Sequence, residues 1–289
     1  MALRLAALLA VALALPSPTL AQEVLPASPA PQEAPKKDEK VQDAPKTQEV
    51  LVTGRSLDLT GVADSATEGK VGQKEIENRP ILRVGEVLET VPGLIVTEHS
   101  GDGKANQYFL RGFNLDHGTD FATWVNGMPI NMPTNAHGQG YTDLSFLIPE
   151  LIDSIDFRKG PYYAEEGDFS AAGAVHVDYA TRLEHGLGSV TLGTSGYERG
   201  VVAQSFKAGD GDLLLAAEAF HYDGPWDVSE NYERQNAVLR YSEGDLNRGW
   251  NVTGMAYRGT WNSTDQIPKR AVESGLVDRF GAIDLTDGG

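Results

Sequence analysis

The chain has 289 residues and a formal net charge of −17, which excludes a general nucleic-acid binder because phosphate affinity needs a basic surface. It has no cysteine, so disulfide frameworks and Cys-ligated zinc or iron–sulfur sites are excluded too. The 32 glycines favour turns and strands over a helical bundle, and past the N-terminus no apolar run approaches the roughly 20 residues of a spanning helix, so a membrane-embedded form would have to be a β-barrel.

The N-terminus carries Arg4, an apolar run from Leu5 to Leu15, and small residues around Thr19-Leu20-Ala21. This is the layout of an export signal over residues 1–21, cleaved before Gln22. Residues 22–46 place Pro26, Pro29, Pro31, Pro35 and Pro45 among polar residues. Such a segment buries too little apolar surface to offset its chain entropy and is predicted to be an extended tether. The β-prone run Gln48 to Gly54 follows, and it suits either a small strand or donation to a partner's sheet edge.

Further along, Val84, Val87, Leu88 and Val91 recur with helical spacing, predicting a helix within 71–93 that ends at Pro92-Gly93. Leu94 to Val96 and Gln107 to Arg111 read as strands. Asn126-Gly127 between Trp124-Val125 and Met128-Pro129-Ile130 predicts a type I′ hairpin. Pro129 lacks an N–H, so its arm should be a sheet edge or end early, and Pro149 can open a short helix over 149–153. Strands over 155–158 and 174–179 complete a mixed α/β unit large enough to fold alone.

After about residue 181 the texture changes to strand-like segments at 187–194, 200–208, 212–222, 234–242 and 249–261. Short turns alternate with longer loops, as on the two sides of an outer-membrane barrel. Only one segment alternates well, with Ala237, Leu239 and Tyr241 set against Asn236, Arg240 and Ser242. The pattern alone leaves a barrel and a soluble β-domain open. Trp226, Tyr232, Trp250 and Trp261 fit the aromatic girdles of a barrel better than ligand platforms.

Five motifs stand in order: Val87-Leu88-Glu89-Thr90-Val91-Pro92-Gly93, Phe109-Leu110-Arg111-Gly112-Phe113, Trp124-Val125-Asn126-Gly127-Met128-Pro129, the stretch Ile148 to Asp156, and Gly160-Pro161 followed by Gly173-Ala174-Val175. Together they resemble the plug of TonB-dependent outer-membrane receptors. The resemblance implies an α+β plug domain with a small mixed β-sheet over 56–180, followed by antiparallel transmembrane β-barrel strands over 181–289. It implies a TonB box over 47–55, with Glu49, Val50, Leu51, Val52 and Thr53 contacting the energy-coupling protein TonB. The cell outer membrane would be the location, with outer-membrane lipid and a small-molecule cargo as further partners. The family's plug arginines pair with barrel carboxylates, a role implied for Arg111, Arg158 and Lys159; Lys159 departs from the family's usual arginine and lacks its planar fork. A barrel of about 22 strands needs several hundred residues, so the strands after 181 are expected to be only part of one.

Catalytic patterns fail. Gly101-Asp102-Gly103-Lys104-Ala105 lacks the hydroxyl residue and first glycine of a phosphate loop, and Glu165-Glu166 reads as solvated charge. No enzymatic activity and no cofactor are expected. Three loops between predicted strands carry polar residues: His99; Asp116 and His117; Asn135, His137, Gln139 and Tyr141. By resemblance these loops face outward and touch cargo, a ferric siderophore or another metal chelate. No dedicated metal site is assigned. Direct ligation by His and carboxylate is chemically open, and so is the plain reading in which each His caps a turn. A soluble periplasmic or secreted plug-like module without transport is the alternative.

Overall fold

A computed structural model describes residues 65–98, 101–244, 248–264 and 266–285. The export signal, the tether, the TonB box with Glu49 to Thr53, and His99 lie outside the described residues.

The N-terminal unit holds eight strands: β1 (Glu68–Gly72), β2 (Leu94–Thr97), β3 (Gln107–Leu110), β4 (Phe113–Asn114), β5 (Phe121–Val125), β6 (Met128–Pro129), β7 (Ile152–Lys159) and β8 (Gly173–Tyr179). They form a five-stranded sheet in the order β1-β7-β8-β5-β6 and a three-stranded sheet β2-β3-β4. The larger sheet is mixed, because β5 and β8 run parallel while the other pairs are antiparallel. Pro129 lies on its edge strand, where its missing N–H costs no ladder bond.

Several local expectations hold for steric reasons. Asn126 and Gly127 both have positive φ, 48° and 77°, as a type I′ turn requires. Pro149 opens a 3₁₀ turn over Pro149–Leu151. Within 71–93 the helix expected around Val84 to Val91 is a 3₁₀ helix over Val84–Thr90, preceded by a separate short helix α1 at Gln73–Glu77. Its apolar residues are buried as the spacing implied, with Val87 and Leu88 fully covered. Arg83 and Val91 are already extended, so the segment is too short for an α-helix to propagate. Strand β3 stops at Leu110, one residue short of the prediction, because Arg111 (φ 54°) and Gly112 (φ 79°) form a second two-residue turn into β4. Strand β1, glycine-flanked and half polar, gave no sequence signal.

The core of this unit is built from Val87, Leu88, Val125, Leu147, Ile148, Leu151, Ile152, Ile155, Val175 and Val177, all fully buried. Each such side chain contributes roughly 1.5–3 kcal/mol through removal from water.

The remaining strands are β9 (Leu187–Leu192), β10 (Glu198–Ala208), β11 (Gly211–Tyr222), β12 (Tyr232–Gly244) and β13 (Gly249–Thr260), and a short helix α2 (Lys269–Glu273) follows. They pair in sequence order as an antiparallel meander, β13-β12-β11-β10-β9. β10 to β13 are 11 to 13 residues long, enough to cross a bilayer at the usual tilt, which takes roughly 9–11 residues. The inward face mixes apolar Val201, Ala203, Leu214 and Ala216 with charged Arg199 and Glu218, and β12 turns most polar side chains inward. On β12 the covered residues are Tyr232, Arg234, Asn236, Val238 and Arg240, while Gln235, Ala237 and Leu239 are exposed. Val190, Leu192, Leu215, Leu239 and Val252 form an exposed apolar face, and the inward face packs on the N-terminal unit. An apolar outer face over an interior that carries polar groups is the pattern of a lipid-embedded barrel wall. Among the described residues no helix is long and apolar enough to cross a membrane. The five strands make an open sheet, an incomplete barrel.

The aromatic expectation divides. Trp250 is exposed beside Tyr241, with ring centroids 5.2 Å apart, as a girdle residue would be. Tyr232 is fully buried and faces inward, because its strand position shares the parity of Arg234. Trp226 sits in the loop after β11, its ring 6.0 Å from that of Phe280 and tilted to it by 60°.

Candidate functional site

One end of the N-terminal unit gathers the loops around 101–106, 114–118 and 131–141. Two ladder-like bonds, Tyr108 N–H to Asp116 O and Leu115 N–H to Tyr108 O, both 2.9 Å, lay the segment after β4 back along β3. His117 therefore comes opposite Ala105, and its Nδ1 lies 2.7 Å from the Ala105 carbonyl. The loop 133–140 closes where Met132 and Tyr141 bridge, at 3.0 Å. Thr142 N–H then bonds His117 O at 2.8 Å, fastening that loop beside His117. Buried Asn131 fixes the arrangement: its Oδ1 accepts from Thr123 N–H, and its Nδ2 donates to the carbonyls of Gly118, Phe121 and Gly140. Asn131 is thus a scaffold residue.

Four of the predicted residues meet here. One ligand atom each from Asp116, His117 and His137 lie within 4.8 Å of one another. The rings of His117 and His137 approach edge-on, with centroids 4.4 Å apart, and Tyr141 lies 5.5 Å from His117. The Tyr141 hydroxyl accepts from Ala105 N–H at 2.8 Å, so Ala105 ties both aromatic partners through its two backbone groups. His117 is 3% exposed. Its burial holds the imidazole pKa below the ordinary value, against the Ala105 carbonyl and Asp116, which favour the charged form. Asn135 contributes indirectly, its Oδ1 capping His137 N–H at 2.9 Å. Gln139 contributes its backbone carbonyl, which accepts from Thr119 Oγ1 at 2.9 Å.

Beside this cluster, Glu230 from the loop after β11 is buried and accepts from Trp226 Nε1 and from Asp102 N–H. Burial and the neighbouring Glu98 and Glu230 push the Asp102 carboxyl up to about 8. The loop around 101–104 is thus fastened to the longer-loop side of the open sheet.

Residues 60–174 match the family model of the TonB-dependent Receptor Plug Domain. The chain carries a TonB-dependent receptor plug. It is 25% identical over 204 residues to the vitamin B12 transporter BtuB of Vibrio vulnificus (strain CMCP6), covering 67% of this chain and 32% of that relative. Its fold is similar to the copper transporter OprC, with a TM-score of 0.53 at 20% identity over 71% of this chain and 32% of that one. It is similar also to a mutant of the ferric enterobactin receptor PfeA of Pseudomonas aeruginosa, with a TM-score of 0.52 at 13% identity over 70% of this chain and 34% of that one. The chain thus spans about a third of the length of these relatives, which are named as transporters and receptors rather than enzymes.

The residues expected to pair with barrel carboxylates lie away from the His cluster. Arg111, in the turn at the far end of β3, donates to Ala66 O at 3.1 Å. Lys159 is buried and donates to Pro92 O at 3.2 Å; burial and nearby Arg111 lower its pKa. Arg158 pairs inside the plug, 2.7 Å from both Glu165 and Glu166. Glu166 corrects the reading of Glu165-Glu166 as solvated charge: it is 4% exposed and 2.7 Å from His176 Nε2, whose ring stacks on Trp124. A buried acid held between Arg158 and His176 is invisible to composition, because its partners lie in other strands.

Sequence reasoning also missed the plug–sheet ion network. Arg199 on β10 reaches plug Glu150, and Glu218 on β11 accepts from Arg199, Arg234 and Asn236. Arg240 donates to Asn126 Oδ1 at 2.6 Å. The available signal was charged residues at alternate positions in otherwise apolar strands.

Proposed function

We propose that this chain is the plug and first wall strands of an outer-membrane receptor for TonB-energised uptake of a scarce nutrient, with a metal chelate as the cargo class. One observation carries the reading. Asp116, His117, His137 and Tyr141, from two separate loops, converge at the end of the plug that meets the longer strand connections. Polar groups held on a rigid scaffold at an apical surface suit recognition of a polar ligand.

The steps follow from the geometry and from strand-addition chemistry. Cargo engages the apical cluster from outside. The run Glu49, Val50, Leu51, Val52 and Thr53 offers an extended edge to TonB on the other side of the membrane. Because cargo site and TonB segment share one plug, occupancy of each must bias the other equally in free energy. The plug is held in the wall by Glu150–Arg199 and Asn126–Arg240, contacts that have to yield for a path to open. Arg111 and Lys159, two adjacent cations, would add carboxylate contacts elsewhere on the wall.

The soluble-module alternative is disfavoured by the exposed apolar face of Val190, Leu192, Leu215, Leu239 and Val252, which suits hydrocarbon and would drive aggregation in water. Deleting 48–54 tests the coupling: uptake should vanish while cargo binding to cells persists. Persistent uptake would refute it.

A further inference from the structure

The apical cluster admits a narrower reading than contact with a chelate. The chemistry of its three donors and their mutual geometry, more than their number, decides the matter.

His117 is the fixed member. Its Nδ1 lies 2.7 Å from the Ala105 carbonyl, a contact only an N–H can make favourably. In the neutral ring that puts the lone pair on Nε2. Nε2 in turn faces Asp116 Oδ1 at 3.8 Å. The Asp116 side chain is about half exposed, so an ion arriving from solvent reaches both atoms. A carbonyl on the far nitrogen of an imidazole is also the outer support that metal-bound histidines usually have, fixing the ring and raising its basicity. His137 supplies a second imidazole, edge-on to the first, with a ligand atom within 4.8 Å of the other two donors.

The three donor atoms are within 4.8 Å of one another. Donors around a tetrahedral ion with bonds of about 2.0–2.1 Å sit roughly 3.3 Å apart. Closing that gap takes a small movement of His137, which is exposed, and of Asp116, which is partly so, while His117 stays in place. Two imidazoles and a carboxylate suit borderline divalent transition metals. Hard ions such as Ca²⁺ and Mg²⁺ want oxygen on every side. With three protein donors on one side and an open mouth on the other, the ion would keep an exchangeable position, which fits cargo better than a permanently held structural ion.

We propose that Asp116, His117 and His137 form a direct, open-sided binding site for a borderline divalent transition-metal ion, arriving either aquated or in a complex with displaceable ligands. The proposal rests on the reading of this cluster as the cargo site and adds that the protein itself ligates the metal.

The test uses the whole protein, tag-free, in detergent. ZnCl₂ is titrated by calorimetry, and CuSO₄ is followed by electron paramagnetic resonance for nitrogen hyperfine structure. Parallel arms supply Zn²⁺ as its nitrilotriacetate complex, which keeps open positions, and as its EDTA complex, which does not. One ion per chain is expected for aquated Zn²⁺, with no binding from EDTA. Binding from the nitrilotriacetate complex alone would assign a delivered complex; binding of both would assign the ion. His137→Ala and Asp116→Asn should each weaken the affinity at least about tenfold, on the scale of lost ligand support, and His137→Ala should remove one nitrogen from the copper spectrum. His137 is exposed, so its variant should keep the unfolding temperature, which guards against misreading a folding defect. Absence of a one-to-one site, or Zn²⁺ affinity unchanged in His137→Ala and in Asp116→Asn, would overturn the metal site. The uptake reading stands or falls separately, on the 48–54 deletion.

Discussion

Arg199 holds Glu150 through both terminal nitrogens, Nη1 to Oε1 at 2.5 Å and Nη2 to Oε2 at 2.8 Å, while its Nε donates to Glu218 at 2.6 Å. Here the wall supplies the arginine and the plug the carboxylate, the opposite of the polarity expected for Arg111, Arg158 and Lys159. The bidentate fork makes the plug's short 3₁₀ turn at Pro149–Leu151 a fixed point on β10.

Removing one member of this network leaves charge stranded where water is scarce, since the Glu218 side chain is fully buried. Arg199→Met should cost about 3–5 kcal/mol and lower the unfolding temperature in detergent. Glu150→Gln should cost less, since Glu150 is the more exposed partner and the amide oxygen can still accept from Arg199. A double-mutant cycle between Glu150 and Arg199 should return a coupling of about 0.5–3 kcal/mol, and a coupling of zero would show that the contact does not hold the plug.

The outward parity of Leu239 and inward parity of Val238 predict opposite tolerance to charge. Leu239→Arg should destabilise the inserted protein by about 2–4 kcal/mol if that face meets the bilayer midplane. Folding into lipid vesicles measures the effect. A neutral result would place this face against something other than hydrocarbon.

Asp102 predicts a pH dependence at the plug–loop junction. Burial first, then Glu98 and Glu230, raise its pKa to about 8 from 3.8, with Arg234 opposing. The folded junction thus binds this proton more tightly than the unfolded chain does, so its stabilising effect is complete below about pH 4 and is lost as pH rises through 8. Amide exchange in 101–104 should speed up over that window. Asp102→Asn, which cannot ionise, should flatten the profile, and an unchanged profile would assign the effect to another group.

Tyr141 has a structural share in the site. Tyr141→Phe removes the acceptor of the buried Ala105 N–H, at a cost of about 1–3 kcal/mol for an unsatisfied donor. Faster exchange of the Ala105 amide and looser binding of cargo should appear together. Loss of binding with Ala105 still protected would point instead to direct contact between the hydroxyl and the cargo.

Much of the plug was legible in short windows. Asn126-Gly127 demands its turn because few residues tolerate positive φ, Pro129 goes to an edge because it cannot donate, and Pro149 opens a turn because its first N–H needs no partner. These are constraints a residue carries in its own covalent geometry, and motif order extended them to the family. Register and distant partners were a different matter. Asp116-His117 meets His137 and Tyr141 only because Thr142 N–H docks on His117 O and Asn131 ties three loop carbonyls. Glu166 is buried because Arg158 and His176 arrive from neighbouring strands. Arg234 and Arg240 turn inward, with Leu239 outward, because their polar partners, Glu218 on β11 and Asn126 of the plug, lie on that side only. Local sterics act within a few residues and can be read from them; the pairing of charges depends on which strands lie side by side, and that is settled only when the chain folds.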